Sequence, residues 1–69
     1  MTRYFVTRTS GTVHTASSLQ SAKAYASHLY RNCGVIAPLV VAAPDKDAAW
    51  NKAQRCYAGE ITCAQARRP

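Results

Sequence analysis

Acidic side chains are what this chain has least of. Three Asp/Glu stand against nine Lys/Arg in 69 residues, a formal net charge of +6. An imbalance of that density costs self-repulsion in the folded state and says more about partners than about fold. A nucleic acid, an acidic protein surface or anionic lipid is the expected counterpart. Long apolar runs are also missing. The longest, Val35 to Ala43, has nine residues, where a membrane-spanning helix needs about 20. Arg8 interrupts the N-terminal stretch where a signal peptide would be unbroken and apolar. A cytoplasmic location with no membrane partner is the expectation.

Metal and catalytic groupings are equally thin. Cys33, Cys56 and Cys63 are odd in number and contain no C-x-x-C pair, which fits a reducing compartment and lacks the close ligand pairs of structural zinc. His14 and His28 add imidazoles without supplying that spacing. Of the three acids, Asp45 and Asp47 read as helix caps and Glu60 lies beside a helix end, so no carboxylate pair is left for acid–base work. His28 and Cys33, five apart, diverge on one helix. A Gly-rich phosphate loop, a zincin motif and a nucleophile elbow are all absent. The reading is non-enzymatic, with no catalytic residue, metal or cofactor.

What is present is enough for one small core. A chain of this length hides roughly 60% of its unfolded surface on folding, and such a core supplies no more than about 3–5 kcal/mol. A partner, or a second copy of the chain, would therefore add usefully to stability. Much of the apolar content is alanine, so the core must be thin and closely packed.

Tyr4-Phe5-Val6-Thr7-Arg8 reads as a strand. Ser10-Gly11 reads as a two-residue turn, and Thr12 to Thr15 as the returning strand. That register sets Val6 opposite Thr15 and Arg8 opposite Val13. Tyr4, Val6 and Val13 then share one face, with Phe5, Thr7 and His14 on the other; the first is the better core face, but Phe5 leaves the choice open. Ser17 with Gln20 reads as a capping box. Leu19, Ala22, Ala26, Leu29, Tyr30 and Cys33 recur at helical spacing, and Gly34 stands at the left-handed stop. Val35 to Ala43 has the make-up of a buried strand, with Pro38 at an edge, a bulge or its beginning. Asp45 or Asp47 caps a second helix whose apolar stripe is Ala49, Trp50, Ala53, Cys56 and Tyr57, ended by Gly59. Residues 60–64 read as a short last strand and 65–69 as a frayed basic tail. The expectation is an α+β single domain over residues 1–64: hairpin, helix, strand, helix and a short last strand.

The basic residues are spread along this framework, on the hairpin, both helices and the tail. Converging, they would make a phosphate-contacting footprint; as anchors, Arg and Tyr would dominate a protein interface. Arg8, Arg31, Lys52 and Arg55, read as solvent-facing, are the expected partner-binding residues.

From Thr12 to Val41 the order is a hairpin strand, a Ser-Leu-Gln-Ser-Ala-Lys-Ala-Tyr-Ala-Ser helix, Cys-Gly and an apolar strand. In this the chain resembles several small phage proteins, some anti-CRISPR proteins among them. It departs from them after Pro44, where a second helix is expected. The resemblance implies a phage or mobile-element protein that inhibits or modulates a host defence nucleoprotein complex by occupying a surface. The alternative is a module that binds DNA or RNA directly.

Overall fold

Tyr4, Phe5 and Val6 place bulky side chains on both faces of one strand, and that strand becomes the centre of the molecule. The computed structural model describes residues 2–69. Its elements are β1 (Arg3–Thr7), β2 (Val13–Ala16), α1 (Leu19–Asn32), β3 (Leu39–Ala43), α2 (Lys46–Tyr57) and α3 (Cys63–Ala66). The sheet runs β2-β1-β3, with β1 antiparallel to both neighbours. The expected α+β class is what forms.

Both sheet faces are covered, so the question of which hairpin face is buried has the answer "both". Val6 and Val40 meet Ala22 and Leu29 of α1, with Val35 closing that cluster. Phe5, Leu39, Val41 and Ala43 on the opposite face meet Ala49 and Ala53 of α2 and Ala66 of α3. Phe5 is 1% exposed and Val6 0%. Alanines at the helix contacts let the layers approach closely around a handful of larger side chains.

The hairpin register differs from the expected one by a single residue. Tyr4 pairs with Ala16, Phe5 with Thr15, Val6 with His14 and Thr7 with Val13. The connection is the three-residue loop Thr9-Ser10-Gly11, closed by Arg8 N–H to the Thr12 carbonyl (3.0 Å) and Gly11 N–H to the Arg8 carbonyl (3.0 Å). Gly11 at φ 101° supplies the left-handed residue this turn-and-bulge geometry demands. One extra loop residue moves every β2 side chain to the other face. Val13 therefore joins Phe5 and His14 joins Val6.

Other sequence expectations also shift. Ser18, not Ser17, caps α1, accepting from Ser21 N–H at 3.1 Å. Tyr30 and Cys33 are exposed rather than buried, and Val35 fills their place. β3 begins only at Leu39, directly after Pro38. Ala37 is left-handed there, at φ 52°. Asp45 caps α2, its Oδ1 accepting from Ala48 N–H at 2.8 Å. That helix stops in a Schellman turn: Glu60 N–H reaches the Arg55 carbonyl, Gly59 N–H reaches that of Cys56, and Gly59 sits at φ 82°.

The expected last strand over 60–64 is instead a turn followed by α3. Thr62 and Gln65 form a reciprocal capping box that starts a helix where a β ladder was anticipated. Nor is the segment from 65 onward a frayed tail. The 64/65 boundary falls inside α3, Ala66 is 0% exposed, and the Arg68 carbonyl accepts from Lys52 Nζ.

Hydrogen-bond alternation fixes which backbone groups face outward at each sheet edge. Arg8 bonds Thr12, so Val6–His14 and Tyr4–Ala16 are bonded pairs, while Val13 and Thr15 direct their N–H and C=O away from β1. On the other side the same alternation turns Val40 and Ala42 outward from β3. Lys52 Nζ donates to the Ala42 carbonyl at 2.9 Å.

Candidate functional site

Strand direction decides where the basic residues go. β1 ends, and β2 and β3 begin, at one end of the sheet, and α1 returns its C-terminus to that end. The Tyr57 hydroxyl brings the C-terminus of α2 there too. It lies 3.2 Å from Thr7 Oγ1, 3.3 Å from the Thr7 carbonyl and 3.2 Å from the Ala37 carbonyl. Arg8 at the base of the hairpin loop, Arg31 in the last turn of α1 and Arg55 in the last turn of α2 therefore share one end, each on a different layer.

Arg31 and Arg55 are exposed, while Arg8 is half-buried, with its Nε enclosed and without a hydrogen-bond partner among the described residues. Each helical arginine also complements the partial negative charge of its helix C-terminus, worth about 0.3–1 kcal/mol.

Lys52 does not belong with these three. Its ammonium is tied to the Ala42 and Arg68 carbonyls, so it seals the outer edge of β3 against the C-terminal segment. The expectation that it is a free contact residue is corrected accordingly. Arg67 at that end is half-buried as well, its Nε donating to the Cys63 carbonyl at 3.3 Å. Arg67 lines a depression of about 200 Å³ with Pro38, Leu39, Val40 and Cys63, at the same end. Two apolar side chains complete the surface: Tyr30 is 65% exposed and Ile36 79%. Periodicity assigned Tyr30 to the buried stripe and composition assigned Ile36 to the strand, so neither was read as surface. Pro38, which cannot donate to a ladder, was the signal that Ile36 precedes the sheet.

The cations are not confined to this end. Arg3, Lys23 and Lys46 lie toward the other one, where Asp45 and Asp47 also sit. What sets the Arg8/Arg31/Arg55 end apart is arginine beside exposed Tyr and Ile, the composition that dominates interface energetics.

Cys56 and Cys63 are neighbours across the α2–α3 junction. Burial pushes the Cys56 thiol up first, and the adjacent Cys63 adds to the shift. Cys33 is exposed and apart. Among the described residues no three His, Cys, Asp or Glu stand together in a metal-binding group. Nor is any helix there long and apolar enough to cross a membrane.

A second region lies along β2. A groove of about 440 Å³ is lined by His14, Thr15, Ala16, Ser17, Ser21 and Tyr25. His14 packs edge-on to Tyr25 with centroids 5.0 Å apart, and Tyr25 stacks with His28 at 6.5 Å. Asn32 Nδ2 lies 3.1 Å from His28 Nδ1, which fixes that ring.

No family model, no curated protein and no solved structure matches this chain.

Proposed function

We propose that this chain is a small non-enzymatic binding protein that docks its arginine-bearing end on an acidic surface of a larger complex. The observation behind it is that Arg8, Arg31 and Arg55 stand on three layers at one end of the sheet, the end at which Tyr30 and Ile36 are also exposed. Guanidinium groups steer the encounter with a negative surface, and the aromatic and aliphatic side chains hold it once formed. The resemblance to small phage anti-defence proteins makes a host nucleoprotein complex the preferred target, inhibited by occupation of a surface.

The experiment pairs affinity capture from a host lysate with kinetics on the captured complex. Charge reversal at Arg31 and Arg55 together should slow association at low salt. An unchanged on-rate contradicts the reading. The same arginines would serve a direct nucleic-acid binder, and titration with labelled duplex DNA across a salt series separates the two. Neutralising about four phosphates gives a log–log salt slope of about −3.6; no binding at low salt removes the nucleic-acid alternative.

A further inference from the structure

The two edges of the sheet are finished differently. At β3 the outward Ala42 carbonyl is taken by Lys52 Nζ, the C-terminal segment is tied to the same ammonium, and all five strand residues are buried. The remaining outward groups, those of Val40 and the Ala42 N–H on β3 and those of Val13 and Thr15 on β2, have no backbone partner among the described residues; the two edges differ in cover, Val40 being 8% exposed and Ala42 1% while Val13 is half-buried. Thr15 is exposed. One groove, bounded by His14, Ser21 and Tyr25, runs on the α1 side of this strand. A second, bounded by Arg3, Tyr4 and Ser17, lies at its far end. An unpaired edge with a groove alongside is what a strand-adding peptide needs: main-chain bonds for affinity and side-chain space for selectivity.

Charge identifies the occupant. Asp45, Asp47 and Glu60 are the chain's only acids, and all three follow residue 44. Every charged side chain of β1, β2 and α1 is consequently basic. Arg3 stands at one end of the β2 edge, and the half-buried Arg8, paired with Thr12, stands at the other. β2 spans roughly 13 Å at about 3.3 Å per residue, so an extended segment with acidic residues flanking its centre meets a cation at each end. A second copy of this chain would bring Arg3 and Arg8 against their own kind.

We infer that the β2 edge binds an extended acidic peptide segment of the partner by strand addition. Val13 and Thr15 supply the main-chain contacts, and Arg3 and Arg8 select for carboxylates. The inference rests on the binding-protein reading above and names an adjoining contact that shares Arg8 with it.

The test uses the full 69-residue chain and a fluorescein-labelled heptapeptide with a Val-Thr-Val centre and two glutamates at each end. The same peptide with lysine for glutamate, and the same peptide N-methylated at alternate residues, serve as controls. The glutamate peptide should bind at least about tenfold tighter than the lysine peptide. N-methylation should abolish binding, and hydrogen exchange at the Val13 and Thr15 amides should slow on addition. Thr15→Pro, which removes one outward donor, should weaken binding by about tenfold or more. Should that variant not fold, exchange in the unaltered chain decides alone.

Unchanged exchange at Val13 and Thr15, or equal affinity for the acidic and basic peptides, overturns the inference. So does protection of those amides by a peptide-free dimer, or by a single-stranded oligonucleotide but not the peptide. Docking of the arginine end is read by on-rate and strand addition by two named amides, so either can fail while the other stands.

Discussion

The β3 edge and the β2 edge belong to the same three-stranded sheet and pair with the same central strand, yet one is sealed and the other is open. Sealing β3 takes an ammonium on an outward carbonyl, a short helix whose alanine enters the core, and a C-terminal segment held by the same lysine. Among the described residues nothing comparable is built over β2, which is shorter and carries Thr15 exposed. Proteins ordinarily blunt such edges because they template pairing with other chains. Leaving one open while closing its counterpart concentrates pairing at a single site. It also denies a second edge along which copies could stack.

Proline substitutions break this comparison most sharply. Val41→Pro removes an N–H directed into β1 and should cost about 3 kcal/mol or more in chemical denaturation. Thr15→Pro removes an N–H that faces outward and should cost under about 1 kcal/mol. Equal losses would show that β2 is not a free edge. Next in size is Lys52→Met, which leaves the Ala42 carbonyl without its donor. A loss of about 1–3 kcal/mol is expected, together with concentration-dependent association in sedimentation as a second edge opens. Stability kept within error would mean that the lysine is an ornament of the surface.

Gly11→Ala probes the hairpin that positions the open strand. A Cβ there would lie 3.8 Å from the Trp50 ring, an ordinary contact, so the whole effect is the left-handed backbone. About 1–2 kcal/mol is expected by thermal melting, and no change would place the loop in another conformation. The smallest effect concerns pH. Burial raises the Tyr57 phenol, the Thr7 hydrogen bond partly opposes this, and the neighbouring Cys56 and Cys63 add to the rise. A folded value above the unfolded one favours the neutral phenol. Its contribution is therefore complete below the unfolded tyrosine range, near pH 10, and is lost as pH climbs through the folded value. Tyr57→Phe should flatten the alkaline decline in stability; an identical alkaline slope would remove Tyr57 as its source.

How far the fold could be read from residues follows the reach of each signal. Local chemistry was sufficient for the existence and extent of α2, where an aspartate cap, the Ala49/Ala53 stripe and Gly59 all act within a few residues, though the choice of Asp45 over Asp47 came from the structure. It was sufficient also for the existence of α1 and of the hairpin. The hairpin register depended on whether Thr9 belongs to the strand or to the loop, and that single residue decides the face of every β2 side chain. Tyr30 fits the helical period of the α1 stripe, yet Val35 returns from the loop to fill its place, a tertiary event no period encodes. α3 was hidden because Ile61-Thr62-Cys63 has strand-like composition, while the Thr62–Gln65 capping box that overrules it is short. Of the four basic residues expected at the site, three share an end because strand order places them there. Lys52 had a tertiary partner invisible to a helical wheel.

Native-state amide hydrogen exchange tests the asymmetry of the edges most directly. Val13, Thr15, Val40 and Ala42 all direct their N–H groups outward, but the β3 pair is buried beneath cover and the β2 pair is not. Exchange at Val40 and Ala42 should be slower than at Val13 and Thr15 by at least about tenfold. Equal rates at the four amides would contradict a sealed edge facing an open one.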